Sequence, residues 1–209
     1  MLMLRHTVLA LAALGSFAVI PGCGALSALS DSAAQLDAYT LSPLPATAAP
    51  PSGRRHLIVE LPTSAGALAT DRILIKPVPF QAQYLPDGRW TEPAPALLQT
   101  LLVASFQNVG GFRLVGRTGA GLMPDYTLMT ELQEFQAEPT APGATSQTVR
   151  ITANMTLIRE SDRSIIASRR FSATAEVTTD ETPDLVSGFD RALQGMLREM
   201  VQWTVSIAG

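Results

Sequence analysis

Few side chains in this sequence could do chemistry, and Cys23 has the clearest opportunity. It is the single cysteine, so no intrachain disulfide can form. It directly follows an apolar run, Val8–Ile20, and a Pro21-Gly22 pair. An unpaired thiol in an exported chain needs an explanation, and acylation supplies one. His56 is the one histidine beyond that run, and it opens an aliphatic stretch beside Arg54 and Arg55. No Gly-x-Ser-x-Gly elbow, Cys-x-x-Cys pair or His-Glu-x-x-His pattern is present. The glycines of Val115–Gly121 (VGRTGAG) lack the Lys-Ser/Thr of a phosphate loop and do not open a helix. Glu131 and Glu134 lie three apart on an expected strand, a spacing that points them to opposite faces. They and the Asp180-Glu181 pair read as solvated surface. The expectation is a protein that is not an enzyme, with no cofactor, no metal site and no catalytic residue.

The residues that position Cys23 are those of an export signal. Arg5 and His6 give a short polar start, and the apolar run of about 13 residues is roughly 20 Å long as a helix. A membrane span needs about 20 such residues, whereas 10–14 is signal-peptide length. Pro21 and Gly22 stop the helix. The tetrapeptide Ile20-Pro21-Gly22-Cys23 resembles the bacterial lipoprotein processing box. Ile20 matches its aliphatic position, Gly22 its small residue and Cys23 its lipidated cysteine, while Pro21 stands where a small or hydroxylated residue is usual. The resemblance implies a signal peptide over 1–22, diacylglycerol on Cys23 and, because Gly24 rather than Asp follows, the periplasmic face of the outer membrane. An ordinary secretory signal beside a free cysteine is the plainer alternative.

Beyond the signal, 209 residues less 22 leave 187. That is enough for one domain with a core that needs neither disulfides nor metal. The formal charge is −3, or about −4 once Arg5 is removed, and Arg54-Arg55 and Arg169-Arg170 are isolated pairs. Nucleic acid is therefore not an expected partner. Residues 23–36 are small and polar, a flexible tether, and 37–209 form the domain. Within it, residues 42–55 are Pro/Ala-rich and form a loop after a first edge strand at Asp37–Leu41.

Strands are expected at His56–Leu61 and Arg72–Lys76, each closed by a proline. Tyr84–Trp90 (YLPDGRW) places a Pro-Asp-Gly turn between two aromatics, a hairpin tip. Tyr84 and Trp90 are candidates for partner contact there, with packing back onto the sheet as the alternative. A helix follows from an N-cap at Thr91 to about Asn108, ended by Gly110-Gly111. Tyr126–Phe135 places Tyr126, Leu128 and Leu132 on one face and Phe135 on the other, so a bulge is expected. Val149–Leu157 alternates, as does Ile165–Val177 with Ile165, Ala167, Phe171, Ala173, Ala175 and Val177 inward. A last helix is capped at Thr182 and runs to about Ser206, with Leu185, Phe189, Met196 and Met200 on its apolar stripe. One-sided strands and two amphipathic helices predict an α+β fold, a two-layer sandwich of mostly antiparallel sheet with both helices on one face.

The order of landmarks resembles the ABC-type transport auxiliary lipoproteins. These landmarks are Tyr39-Thr40-Leu41, Ile58–Pro62, Leu68–Ile75 (LATDRILI), Trp90-Thr91-Glu92-Pro93, Phe112–Val115, and Asp125–Leu128 running to Phe135. The match covers roughly Asp37–Ser206. It implies a non-enzymatic, lipid-anchored auxiliary component whose partners are an MCE-domain protein, an ABC permease and an ATPase of an intermembrane lipid transport system. Self-association into a homo-oligomer stays open. Two other readings stand beside it. One is a carrier holding a hydrophobic ligand in a cleft lined by Phe106, Met196 and Met200. The other is a generic outer-membrane assembly or pilot lipoprotein.

If Cys23 is the attachment point, Cys23→Ser leaves the domain folded and releases it from the membrane. Fractionation checks this, and an unchanged membrane pool for that variant contradicts the lipoprotein reading.

Overall fold

The computed structural model describes residues 36–209 except 49, 51, 120 and 122. Met1–Gln35, and with them the signal run, the processing box, Cys23 and all but the last residue of the tether, lie outside the described residues. Leu36–Gly209 form one contact unit that holds all the described core residues and strand partners.

Among the described residues nine strands form a single mixed sheet: β1 (Asp37–Tyr39), β2 (His56–Val59), β3 (Thr63–Ser64), β4 (Arg72–Ile75), β5 (Gln83–Trp90), β6 (Leu114–Arg117), β7 (Tyr126–Pro139), β8 (Gln147–Arg159) and β9 (Ser164–Val177). Among the described residues two helices, α1 (Ala94–Val109) and α2 (Thr182–Ala208), complete the α+β fold. The 14-residue β7 is the axis of the sheet. β8 pairs antiparallel along its whole length, from Tyr126 opposite Arg159 to Pro139 opposite Gln147, and β9 continues the meander. The other edge of β7 is taken in turn by β2, β3 and β4, all parallel to it. β6 lies parallel outside β2; β5 lies antiparallel outside β4, and β1 runs parallel to β5. The meander is antiparallel as expected, but the N-terminal half makes the sheet mixed.

The expected bulge in β7 is present. Register shifts between Leu132 and Glu134, so Gln133 is the extra residue. Phe135 thereby rejoins the face of Leu128 and Leu132, and all three are buried. The same bulge corrects the expectation for Glu131 and Glu134. Opposite Asn154 and Thr152, which are two apart on β8, both carboxylates share the solvent face. A second bulge, between Leu157 and Ile158, turns Ile165 outward, where it is 67% exposed rather than inward. Phe171 and Val177 are buried as expected, and Arg169 shares their face, its guanidinium 4.7 Å from the Phe171 ring centroid.

Tyr84–Trp90 is not a hairpin tip. It lies inside β5, and the Pro-Asp-Gly residues form the irregularity between Leu74 opposite Tyr84 and Arg72 opposite Arg89. The turn between β4 and β5 is instead made by residues 76–82. Two caps also differ from expectation. α1 is preceded by Pro93 and α2 by Glu181, neither with a side-chain cap bond. Thr182 instead donates its hydroxyl to the Asp87 carboxylate at 2.7 Å, tying α2 to β5.

Both helices lie on one face, α1 against β2 and β6, α2 against β8 and β9, in contact with each other. Gly188 permits the approach, because a Cβ there would stand 2.4 Å from Val177 Cγ2 and 3.1 Å from Val149 Cγ2. Trp90, Phe135 and Phe189 form the centre of the core, with Trp90 edge-on to both phenylalanines at centroid distances of 5.5 and 5.2 Å. Phe106, Met196 and Met200 are also buried in this core. The Pro/Ala-rich segment is a loop, and side chains of the helices strap it down. Leu44 accepts from Asn108 at 2.7 Å and donates to Ser105 at 3.0 Å, while Ser42 donates to Asp190 at 2.8 Å.

Phe189→Asp strands a carboxylate in this aromatic centre and is expected to cost about 3 kcal/mol or more. A thermal melt unchanged by that substitution would show the α2 face to be exposed.

Candidate functional site

The site candidates from the sequence separate in the structure. Trp90 is 1% exposed and belongs to the core, so it makes no partner contact. Its burial follows from the continuity of β5: the backbone N–H of Trp90 donates to Asp71 at 2.6 Å, and the residue then hands the chain to α1. Tyr84 remains at the surface, 38% exposed. Its hydroxyl donates to the Ala67 carbonyl at 3.1 Å, and the Arg72 guanidinium lies 5.9 Å from its ring centroid. Tyr84 is thus a surface residue tied at its polar end. Ile20, Pro21, Gly22 and Cys23 lie outside the described residues.

Metal-ligating side chains do not gather among the described residues. No group of three or more His, Cys, Asp and Glu side chains converges there. His56 meets Asp125 through its backbone, its N–H donating to the carboxylate at 2.8 Å, while Arg55 donates to the other carboxylate oxygen at 3.1 Å. The backbone N–H of His56, aided by the Arg55 guanidinium, holds the Asp125 carboxyl below its ordinary value of 3.8 against partial burial. Asp125 N–H donates to His56 in return and its carbonyl accepts from Glu160, so the residue joins the starts of β2 and β7 to the end of β8. This is a structural clasp. Asp162 in the β8–β9 turn is also held low, chiefly by the Ser164 hydroxyl and N–H.

The solvent face of the meander is a ladder of short polar side chains. Thr152 bonds Glu134 and Ser172, Thr156 bonds Ser168 at 2.9 Å, Asn154 donates to Glu131 at 3.3 Å, and Arg150 meets Glu138 at 2.9 Å. Glu131, Glu134 and Glu138 are thus each engaged by a neighbouring side chain on this face. Two clefts open at the end where β4 and β7 finish. One, of about 380 Å³, is bordered by Leu85, Asp87, Pro139, Glu181 and Leu185. The other, of about 660 Å³, lies between residues 76–82 and 138–143. The sequence reading missed this end. Its signal was there in Pro77-Val78-Pro79-Phe80, an apolar turn between two strands.

The fold is an α+β module built on one mixed sheet, and its relatives are found among known proteins. The family model of the ABC-type transport auxiliary lipoprotein component matches residues 39–201, and the chain belongs to that family. It is similar to a crystal structure of a Xanthomonas campestris protein, with a TM-score of 0.71 and 26% identity over 82% of this chain and 95% of that one. A second crystal structure, of an uncharacterized protein, shares the fold with a TM-score of 0.62 and 18% identity, covering 80% of this chain and 97% of that one. An uncharacterized protein of Bradyrhizobium diazoefficiens is 27% identical over 149 residues, 71% of this chain. The matched region is 39% of that relative's length.

Asp125 carries a pH-dependent prediction. Its folded value is depressed, so its contribution to stability is present above the ordinary value of 3.8 and is lost as pH falls through the folded value. Asp125→Ala should therefore lower stability by about 1–2 kcal/mol at pH 7. The gap between variant and parent should be smaller at an acidic pH below 3.8 than at pH 7, as linkage requires for a depressed carboxyl. Denaturant midpoints at the two pH values measure it.

Proposed function

We propose that this chain is the membrane-anchored auxiliary lipoprotein of an MCE/ABC-type intermembrane lipid transport system. It is attached through a lipid on Cys23 to the periplasmic face of the outer membrane. The observation that carries the reading is the family match over residues 39–201. Its function on this reading is geometric. The lipid fixes one end, residues 24–36 set the reach, and the rigid sandwich presents its surfaces to the MCE-domain protein, which connects to the permease and ATPase. The burial of Phe106, Met196 and Met200 within the core cluster supports this over a carrier with an open cleft between helix and sheet. Transfer of cargo then belongs to the partners, and this chain supplies position.

Crosslinking in native membranes followed by purification of this chain tests the proposal. Peptides of an MCE-domain protein or of an ABC permease and ATPase are expected in the crosslinked fraction. Their absence, with the chain itself recovered from membranes, overturns the assignment.

A further inference from the structure

The turn at Val78-Pro79-Phe80-Gln81 has a sequence at odds with its backbone. Gln81 N–H donates to the Val78 carbonyl at 3.2 Å, closing a four-residue turn with Pro79 in its second position. Phe80 occupies the third position with φ of 67°. Glycine takes that conformation without steric penalty, whereas a bulky side chain is strained there. The ring stands entirely in solvent: Phe80 is 107% exposed and Val78 is 53% exposed. Pro77, Pro79 and Ala82 surround them, and Ala141 and Pro142 face them across the cleft of about 660 Å³. No side chain from 77 to 82 is ionisable, and Lys76, the single lysine of the chain, stands at the base of the turn. Lys76 has no ion pair among the described residues, while Glu138 nearby is paired with Arg150. An apolar tip with a cation behind it suits the boundary between lipid headgroups and acyl chains.

The direction of β1 says which surface lies opposite. β1 runs parallel to β5 with Asp37 opposite Gly88, so Leu36 enters β1 from the side on which Gln83 begins β5, the side of the turn. Gln83 is five residues back along β5, roughly 17 Å at strand spacing. The segment from Cys23 to Leu36 can extend about 45–50 Å, more than enough for Cys23 and Phe80 to meet one plane. We propose that the Val78–Gln81 turn is a second membrane contact, in which Phe80 and Val78 enter the bilayer that holds the lipid on Cys23. This rests on the Cys23 anchor of the preceding section. The anchor supplies the effective concentration that makes so small an apolar tip sufficient. Asp87, Asp180 and Glu181 at the same end oppose an anionic surface, so the occupant is a zwitterionic lipid surface.

The test uses residues 23–209, which retain the whole contact unit of the core, coupled through the single cysteine to a maleimide lipid in phosphatidylcholine vesicles. Amide hydrogen exchange over residues 76–83 is expected to slow several-fold on the vesicles relative to the uncoupled chain. The slowing should vanish in Phe80→Asp, whose melting temperature stays near the parent's because the ring touches solvent alone. Unchanged exchange on the vesicles, or equal slowing in Phe80→Asp, overturns the proposal and leaves the turn to a protein partner. The intact mass of the chain extracted from native membranes reports separately whether Cys23 is acylated. An unmodified Cys23 thus sinks the anchor while the vesicle measurement still decides the turn.

Discussion

One extra residue in β7 sets the inside and outside of this molecule. Strand side chains alternate with a period of two, so inserting Gln133 exchanges the faces of all that follows it. Before it, Leu128 and Leu132 point to the helices; after it, so does Phe135, which would otherwise face water. Phe135 then completes the aromatic group with Trp90 and Phe189, which joins β7, β5 and α2. The same shift places Glu131 and Glu134 on one polar face, where Asn154 and Thr152 meet them. Core and surface thus rest on a single register change.

Because β7 is so long, it can serve several neighbours at once. β8 occupies one edge completely, and the three short parallel strands share the other in chain order. A chain passing along β7 in three pieces needs turns between them, and these loops give the molecule its surface features. The loops that make these turns gather at the two ends of the sheet. The clasp at Asp125 closes one end, where β2 and β7 begin; the apolar turn at Phe80 marks the other, where β4 finishes.

Long, strongly alternating segments were legible in the sequence because their periodicity states their exposure directly. Val149, Ile151, Ala153, Met155 and Leu157 are all fully buried. α2 was equally legible, since Leu185, Phe189, Met196 and Met200 recur at helical spacing. Family membership was legible for a related reason, because it rests on landmarks spread over the chain in a fixed order. Tyr84–Trp90 misled for a local reason. Pro-Asp-Gly is turn chemistry, but Trp90 gains more from the core than the tripeptide gains from a hairpin, so the turn residues became a strand irregularity. Ile165 misled because the bulge at Ile158 arises from pairing with β8 and leaves no mark in the alternation itself.

The sequence alone determined the element types, the apolar face of each long element, the α+β class and the absence of a recognisable catalytic motif. These follow from residue type and spacing, which act over a few residues. The tertiary structure decided which edges of β7 are shared, that the sheet is mixed, that Thr182 bonds Asp87 in place of capping its helix, and that Trp90 is core. Parallel pairing joins residues far apart in the chain, such as Leu57 with Tyr126, and no local pattern encodes that choice. It also decided that Phe80 stands alone in solvent, because exposure depends on everything that packs around a residue and on what does not.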